Sequence, residues 1–94
     1  MNQTKFGSMA RLLVNGYLNG RMEVLRFERT GTAHAHAMDE VAVCVSGRGY
    51  VYIQGKAHWV AQGDHVVIKA GDQHFMVPSG LDPLCMMILY KATI

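Results

Sequence analysis

From Arg21 onward the chain is a succession of short apolar runs, each closed by a turn, and this constrains its fold more than any other feature. RMEVLRFER, VAVCVSG, YVYIQ, KAHWVA, HVVIKA, QHFMVP and LCMMILYKA follow one another. Between them lie Ser46-Gly47-Arg48-Gly49, Gln54-Gly55, Gln62-Gly63-Asp64, Ala70-Gly71-Asp72 and a loop ended by Pro83. The runs are rich in β-branched residues and alternate with period two, and no helical period is sustained anywhere. Short strands at turn-marked intervals predict an all-β protein, a small antiparallel barrel or sandwich. There is also a loose doubling: each half of this region carries a glycine-marked turn, strands and then a histidine, as two Greek keys would.

The organisation is simple. Residues 21–94 read as a single barrel domain, and residues 1–20 as an N-terminal arm or edge strand. Residues 1–10 are polar and mixed, which suggests a frayed arm able to cross onto a partner subunit. Leu12 to Leu18 is ambiguous, with turn signals at Asn15-Gly16 and Asn19-Gly20. The N-terminal stretch lacks a long apolar core, so neither a signal peptide nor a membrane span is expected.

Composition narrows the partners. Half of the residues (50%) are hydrophobic and 17% are charged, which is apolar for a small monomer. Val41, Val43 and Val45 alternate with Glu40, Ala42 and Cys44, so this strand is apolar on both faces. One face can line a barrel and the other needs cover, and a homodimer is the expected cover. The net charge of +2 comes from scattered Lys and Arg, which argues against nucleic acid. Cys44 and Cys85 lie in apolar runs without paired spacing, and read as buried free thiols in a reducing cytoplasm.

Four side chains carry chemistry. His34 and His36 stand two apart, and in a strand would project from one face. Glu40 has the same parity, and His74 comes from a later strand. Three imidazoles and a carboxylate suit a borderline divalent transition metal and leave coordination positions open. The plainer alternative is that each histidine is at the surface or satisfied within the core.

The spacing resembles that of the cupin superfamily in its small single-domain form. The first cupin motif is similar to His34-Ala35-His36, three residues, Glu40, six residues, Gly47. Its leading glycine is missing, and Glu28 stands there. The second is similar to Gly63, five residues, Lys69-Ala70-Gly71, two residues, His74, three residues, Pro78. Lys69 replaces a proline of that motif and Pro78 an asparagine.

The resemblance implies a jelly-roll-like double-stranded β-helix. It implies one divalent iron, manganese, nickel, copper or zinc ion per chain, held by His34, His36, Glu40 and His74. It says little about activity, because cupins include dioxygenases, isomerases, epimerases, decarboxylases, lyases and non-catalytic binders. A mononuclear metal enzyme is expected, acting on a small organic substrate by dioxygenase-type chemistry first and isomerase or lyase chemistry next. Glu40 would be a ligand or a general base. The alternative is a metal-organised binding or accessory protein without turnover. A third reading is a scaffold whose site has drifted and holds no metal, against which the intact ligand set argues.

Other residues are weighed by parity and size. Ala42 and Cys44 share the parity of Glu40, are small, and are expected to leave substrate space beside the metal. Tyr50 and Tyr52 share a face and could offer hydroxyls to a substrate, although an ordinary tyrosine wall has the same pattern. Met76, Met86 and Met87 read as adaptable core filler. His58 and His65 are expected to be exposed or half-buried, and Asp64 and Asp72 to cap turns.

Overall fold

The computed structural model describes residues 2–13 and 21–91. The turns expected at Asn15-Gly16 and Asn19-Gly20 lie outside the described residues. The strands are β1 (Asn2–Gln3), β2 (Gly7–Leu13), β3 (Arg21–Phe27), β4 (Glu40–Ser46), β5 (Arg48–Ile53), β6 (Lys56–Ala61), β7 (His65–Ile68), β8 (His74–Pro78) and β9 (Leu84–Tyr90). Among the described residues no helix forms. The strands make a larger sheet of order β1-β2-β3-β9-β4-β7 and a smaller one of order β6-β5-β8, with every pairing antiparallel.

One expectation is corrected at the N-terminus. Residues 2–10 are not a frayed arm but belong to edge strands of the larger sheet, the other expectation for this region. Gly7–Leu13 pairs with β3 along its whole length, from Gly7 opposite Phe27 to Leu13 opposite Arg21, and β1 folds back on β2. The polar composition concealed this because an outer strand covers only one face.

Alternation fixes which residues enter the barrel. On β4 the inward set is Glu40, Ala42 and Cys44; on β9 it is Leu84, Met86, Ile88 and Tyr90; on β3 it is Glu23, Leu25 and Phe27. Register then stacks Ala42 beside Ile88 and Cys44 beside Met86, with Leu25 beyond. The smaller sheet closes the core with Val51, Val60 and Met76. Met76 and Met86 are core residues as expected, whereas Met87 has the opposite parity and is only half-buried. Cys44 is buried, and burial, reinforced by nearby Asp64, pushes its thiol upward. Cys85 is half-buried on the outer face, so only one of the two thiols is in the core.

Gly47 ends β4 with φ of 77°. A Cβ there would lie 2.1 Å from the Pro83 carbonyl oxygen, so the turn needs both the left-handed conformation and the missing side chain. Gly47→Ala is expected to destabilise the protein by about 2–4 kcal/mol, read as a lower urea midpoint with an unchanged m-value.

Candidate metal centre

His34 and His36 are carried by the 28–39 connection rather than by a regular strand. What holds this connection is backbone pairing to its neighbours. His34 N–H donates to the His74 carbonyl (3.0 Å) and His74 N–H to that of His34 (2.8 Å), an isolated bridge. Gly31 N–H donates to Met76 O and Gly71 N–H to His36 O, both at 2.8 Å. Asp39 completes the clasp: its Oδ1 accepts from Ala70 N–H at 2.8 Å and its carbonyl from Lys91 N–H. The Ala70 bond, with Lys69 nearby, holds the Asp39 carboxyl below its ordinary range.

The structure brings the three histidines together. Their ring centroids are 4.6 Å apart for His34–His36, 4.4 Å for His34–His74 and 5.3 Å for His36–His74. One nitrogen from each lies within 4.8 Å of the others. Two tautomers are set by the backbone. His34 Nδ1–H donates to Thr32 O at 2.8 Å, and His74 Nδ1–H to Asp72 O at 2.9 Å. Each ring therefore presents Nε2 with its lone pair, the form a metal takes.

Glu40 adjoins this cluster. Its Oε2 accepts from His36 Nδ1 at 2.7 Å, and its Oε1 is 3.3 Å from His74 Nε2. That second approach lacks hydrogen-bond alignment, so His74 Nε2 is a buried nitrogen without a hydrogen-bond partner. Polar atoms in such a position are costly unless something binds them. An orphaned imidazole nitrogen beside two more imidazoles fits a metal ion.

The two fixed rings differ electrostatically. Burial, then the other two imidazoles, lowers the His34 pKa, against the pull of the Thr32 bond. Burial also acts downward on His74, but Glu40 and the Asp72 carbonyl outweigh it and the pKa is raised. A proton on His74 competes with a metal, so affinity should fall as pH drops through a range above the free-imidazole value of about 6.5. A pH series of zinc affinity should accordingly bend at higher pH in the wild type than a single unperturbed histidine would give.

The histidines form one wall of a cavity of about 250 Å3. Phe6, Met9, Leu25, Phe27 and Ile88 supply much of its apolar lining, and Arg11, Glu23 and Tyr90 further polar groups. These last three were not foreseen from the sequence. Tyr90 is the direct neighbour of Glu40 across the β4–β9 ladder, and its hydroxyl donates to Glu23 Oε1. The same hydroxyl is 3.4 Å from His36 Nε2. Arg11, opposite Glu23 on β2, places Nε and Nη2 each 2.9 Å from Glu23 Oε2.

The four residues expected to shape substrate space are elsewhere. Ala42 and Cys44 do point inward from β4, but they are packed into the core and do not line the cavity, which opens towards β2, β3 and β9 instead. Tyr50 and Tyr52 project from the other side of β5 from buried Val51. Tyr50 packs on Trp59 and Tyr52 stacks on Phe75 at 4.8 Å. They are a tyrosine wall on the smaller sheet.

A double-sheet β-barrel with imidazoles gathered at one side defines a class of small β-proteins that could hold a metal. The chain matches the cupin domain family over residues 20–90 and belongs to it. Among solved structures it is similar to the plu4264 protein of Photorhabdus luminescens, with a TM-score of 0.79 at 17% identity over 99% of this chain and 81% of that one. It is also similar to KdgF from Halomonas sp. (TM-score 0.70, 23% identity, 90% and 80% covered) and to a cupin protein from Bacteroides fragilis (TM-score 0.77, 16% identity, 99% and 82% covered). At these identities the likeness concerns the fold. No curated protein matches the sequence. Among the described residues no helix is long and apolar enough to cross a membrane.

Proposed function

We propose that the protein is a metal-dependent cupin that acts on a small organic molecule, with His34, His36, His74 and Glu40 as the ligand set. The observation that carries this reading is the buried, unpartnered Nε2 of His74 among the other imidazoles. A divalent ion held there would act as a Lewis acid towards an oxygen donor of the substrate. The chain's own residues supply the rest. Thr32 and Asp72 carbonyls hold two rings in the ligating tautomer, and Phe27, Leu25 and Ile88 supply an apolar wall to the cavity beside them. Glu40, which accepts from His36 Nδ1 and lies 3.3 Å from His74 Nε2, either completes the ligand set or takes up a substrate proton on its carboxylate.

Dioxygenase-type chemistry on a phenolic or keto-enol compound is the first reaction to test, with isomerisation or lyase chemistry next. Metal-loaded protein is incubated with such compounds while oxygen uptake and absorbance are followed. Oxygen consumption with product supports the first, and product without it the second. Tight binding without product across the panel overturns turnover and leaves a binding protein. Glu40→Gln is expected to cut any turnover by about 100- to 10,000-fold if Glu40 is the base. Metal content is measured alongside, to separate that role from ligation.

We further infer that two copies pair through the outer face of the larger sheet. The residues of opposite parity to the core there are mostly apolar across β3, β9, β4 and β7, with Arg26 and His65 as polar members, and Val45, Val67 and Leu89 remain exposed.

A further inference from the structure

We propose that Arg11 anchors a ligand carboxylate in the histidine cavity, and that the ligand is a small monocarboxylic acid carrying a second oxygen function for the metal. The proposal rests on the metal reading above for that second oxygen and for the charge balance of the cavity, and on Arg11 and Glu23 for the rest.

Three observations lead to it. The first is Glu23, a carboxylate buried in an inward row whose next members are Leu25 and Phe27. Burying a charge there is costly, and an apolar residue of similar size would commonly be neutral or stabilising. What the pair achieves is placement: Glu23 holds the guanidinium of its cross-strand neighbour against the cavity wall.

The second is how Arg11 is held. Nε and Nη2 both converge on a single oxygen, Glu23 Oε2. One edge of the guanidinium is thus used, the Nη1 end makes no hydrogen bond among the described residues, and half of the side chain (50%) is open. A guanidinium fixed on one edge and open on the other suits the geometry of a carboxylate.

The third is charge. The cavity wall carries Arg11, Glu23 and Glu40 as its fully charged side chains. With both carboxylates ionised and a divalent ion on the imidazoles, one net positive charge is left, and a monoanion neutralises it. Size agrees: about 250 Å3 is below the ~300–1,000 Å3 usual for drug-sized ligands. Phe6, Met9 and Phe27 would cover a short hydrocarbon body between the two oxygen functions.

The test pairs acids with their methyl esters: 2-oxobutanoate, 4-oxopentanoate and 5-oxohexanoate, each titrated calorimetrically into zinc-loaded and metal-stripped protein. At least one acid is expected to bind about 10- to 100-fold tighter than its ester, the range of a charge-assisted hydrogen bond. Arg11→Gln should abolish that difference, and Arg11→Lys should keep part of it. Thermal melts accompany both variants; if Arg11→Gln does not fold, the partial loss in Arg11→Lys decides. Absence of any acid preference, or a preference that survives substitution of Arg11, overturns the proposal. The metal-stripped arm keeps the two readings apart. Failure to load zinc counts against the metal centre, while the acid–ester difference still reports on Arg11.

Discussion

His74→Ala is expected to remove metal retention altogether. Elemental analysis of protein prepared without chelators should fall from about one ion per chain to background. The loss of affinity should exceed the ~10- to 100-fold typical of removing an outer partner of a ligand. The reason is local. His74 Nε2 is the most enclosed nitrogen of the three, and its ring is fixed from behind by the Asp72 carbonyl. No neighbouring donor can swing into its place, because Glu40 already reaches towards both His36 and His74.

The same change separates a metal effect from a folding effect. Binding to the native state alone stabilises it by about 4 kcal/mol at a thousand times Kd, so zinc should raise the melting temperature of the wild type and leave that of His74→Ala unmoved. The metal-free variant loses the unpartnered Nε2, but also the Nδ1–H bond to the Asp72 carbonyl and the imidazole beside buried Glu40. Its metal-free stability should therefore drop as in a typical large-to-small core change, and the missing response to zinc is what marks the metal effect. His34→Ala makes a useful companion, since His34 is exposed and its removal leaves a solvated gap. A wild type that retains no ion, or a His74→Ala protein that retains one, would end the metal reading.

How much of this was legible in the sequence depends on what kind of signal each residue carries. The strands from Arg21 onward were readable because glycine-marked turns fix their ends and alternation fixes their faces. The inward positions of Met76 and Met86 follow directly. His34, His36 and His74 were readable as a set because ligand-type residues at motif spacing are rare by chance. What alternation cannot show is where a barrel is full and where it is open. Ala42 and Cys44 have the right parity, yet their level of the barrel is occupied by Ile88 and Met86 from the facing register. Tyr50 and Tyr52 share a face, but period two alone does not say which face is inside.

Glu23 left a usable signal: a carboxylate at the inward parity of RMEVLRF, where Leu25 and Phe27 are buried. Tyr90 likewise continues the inward series of Leu84, Met86 and Ile88. Arg11 left none, since the pairing of β2 on β3 was not foreseen. Asp39 was equally hidden, because its role is to cap a turn 31 residues away in sequence.

Met87→Asp is expected to convert a dimer into a folded monomer. Register places Met22, Leu89, Val41 and Val67 in one row across the outer face of the larger sheet, and Val24, Met87, Val43 and His65 in the next. Met87 sits near the middle of that patch, flanked by Val24 and Val43, so a carboxylate there would be enclosed by apolar side chains on pairing. An unpaired charge buried at an interface costs about 3–5 kcal/mol, or roughly 200- to 5,000-fold in Kd. In a monomer the same carboxylate points to water and costs little. Sedimentation at micromolar concentration should therefore show the change in mass, while circular dichroism and metal content stay as in the wild type, because the inward residues and the histidines lie on the opposite side of the sheet. Val67→Lys, on the terminal strand of the sheet, should weaken pairing far less, since a rim charge can remain solvated. A wild type that sediments as a monomer at that concentration would reject pairing through this face.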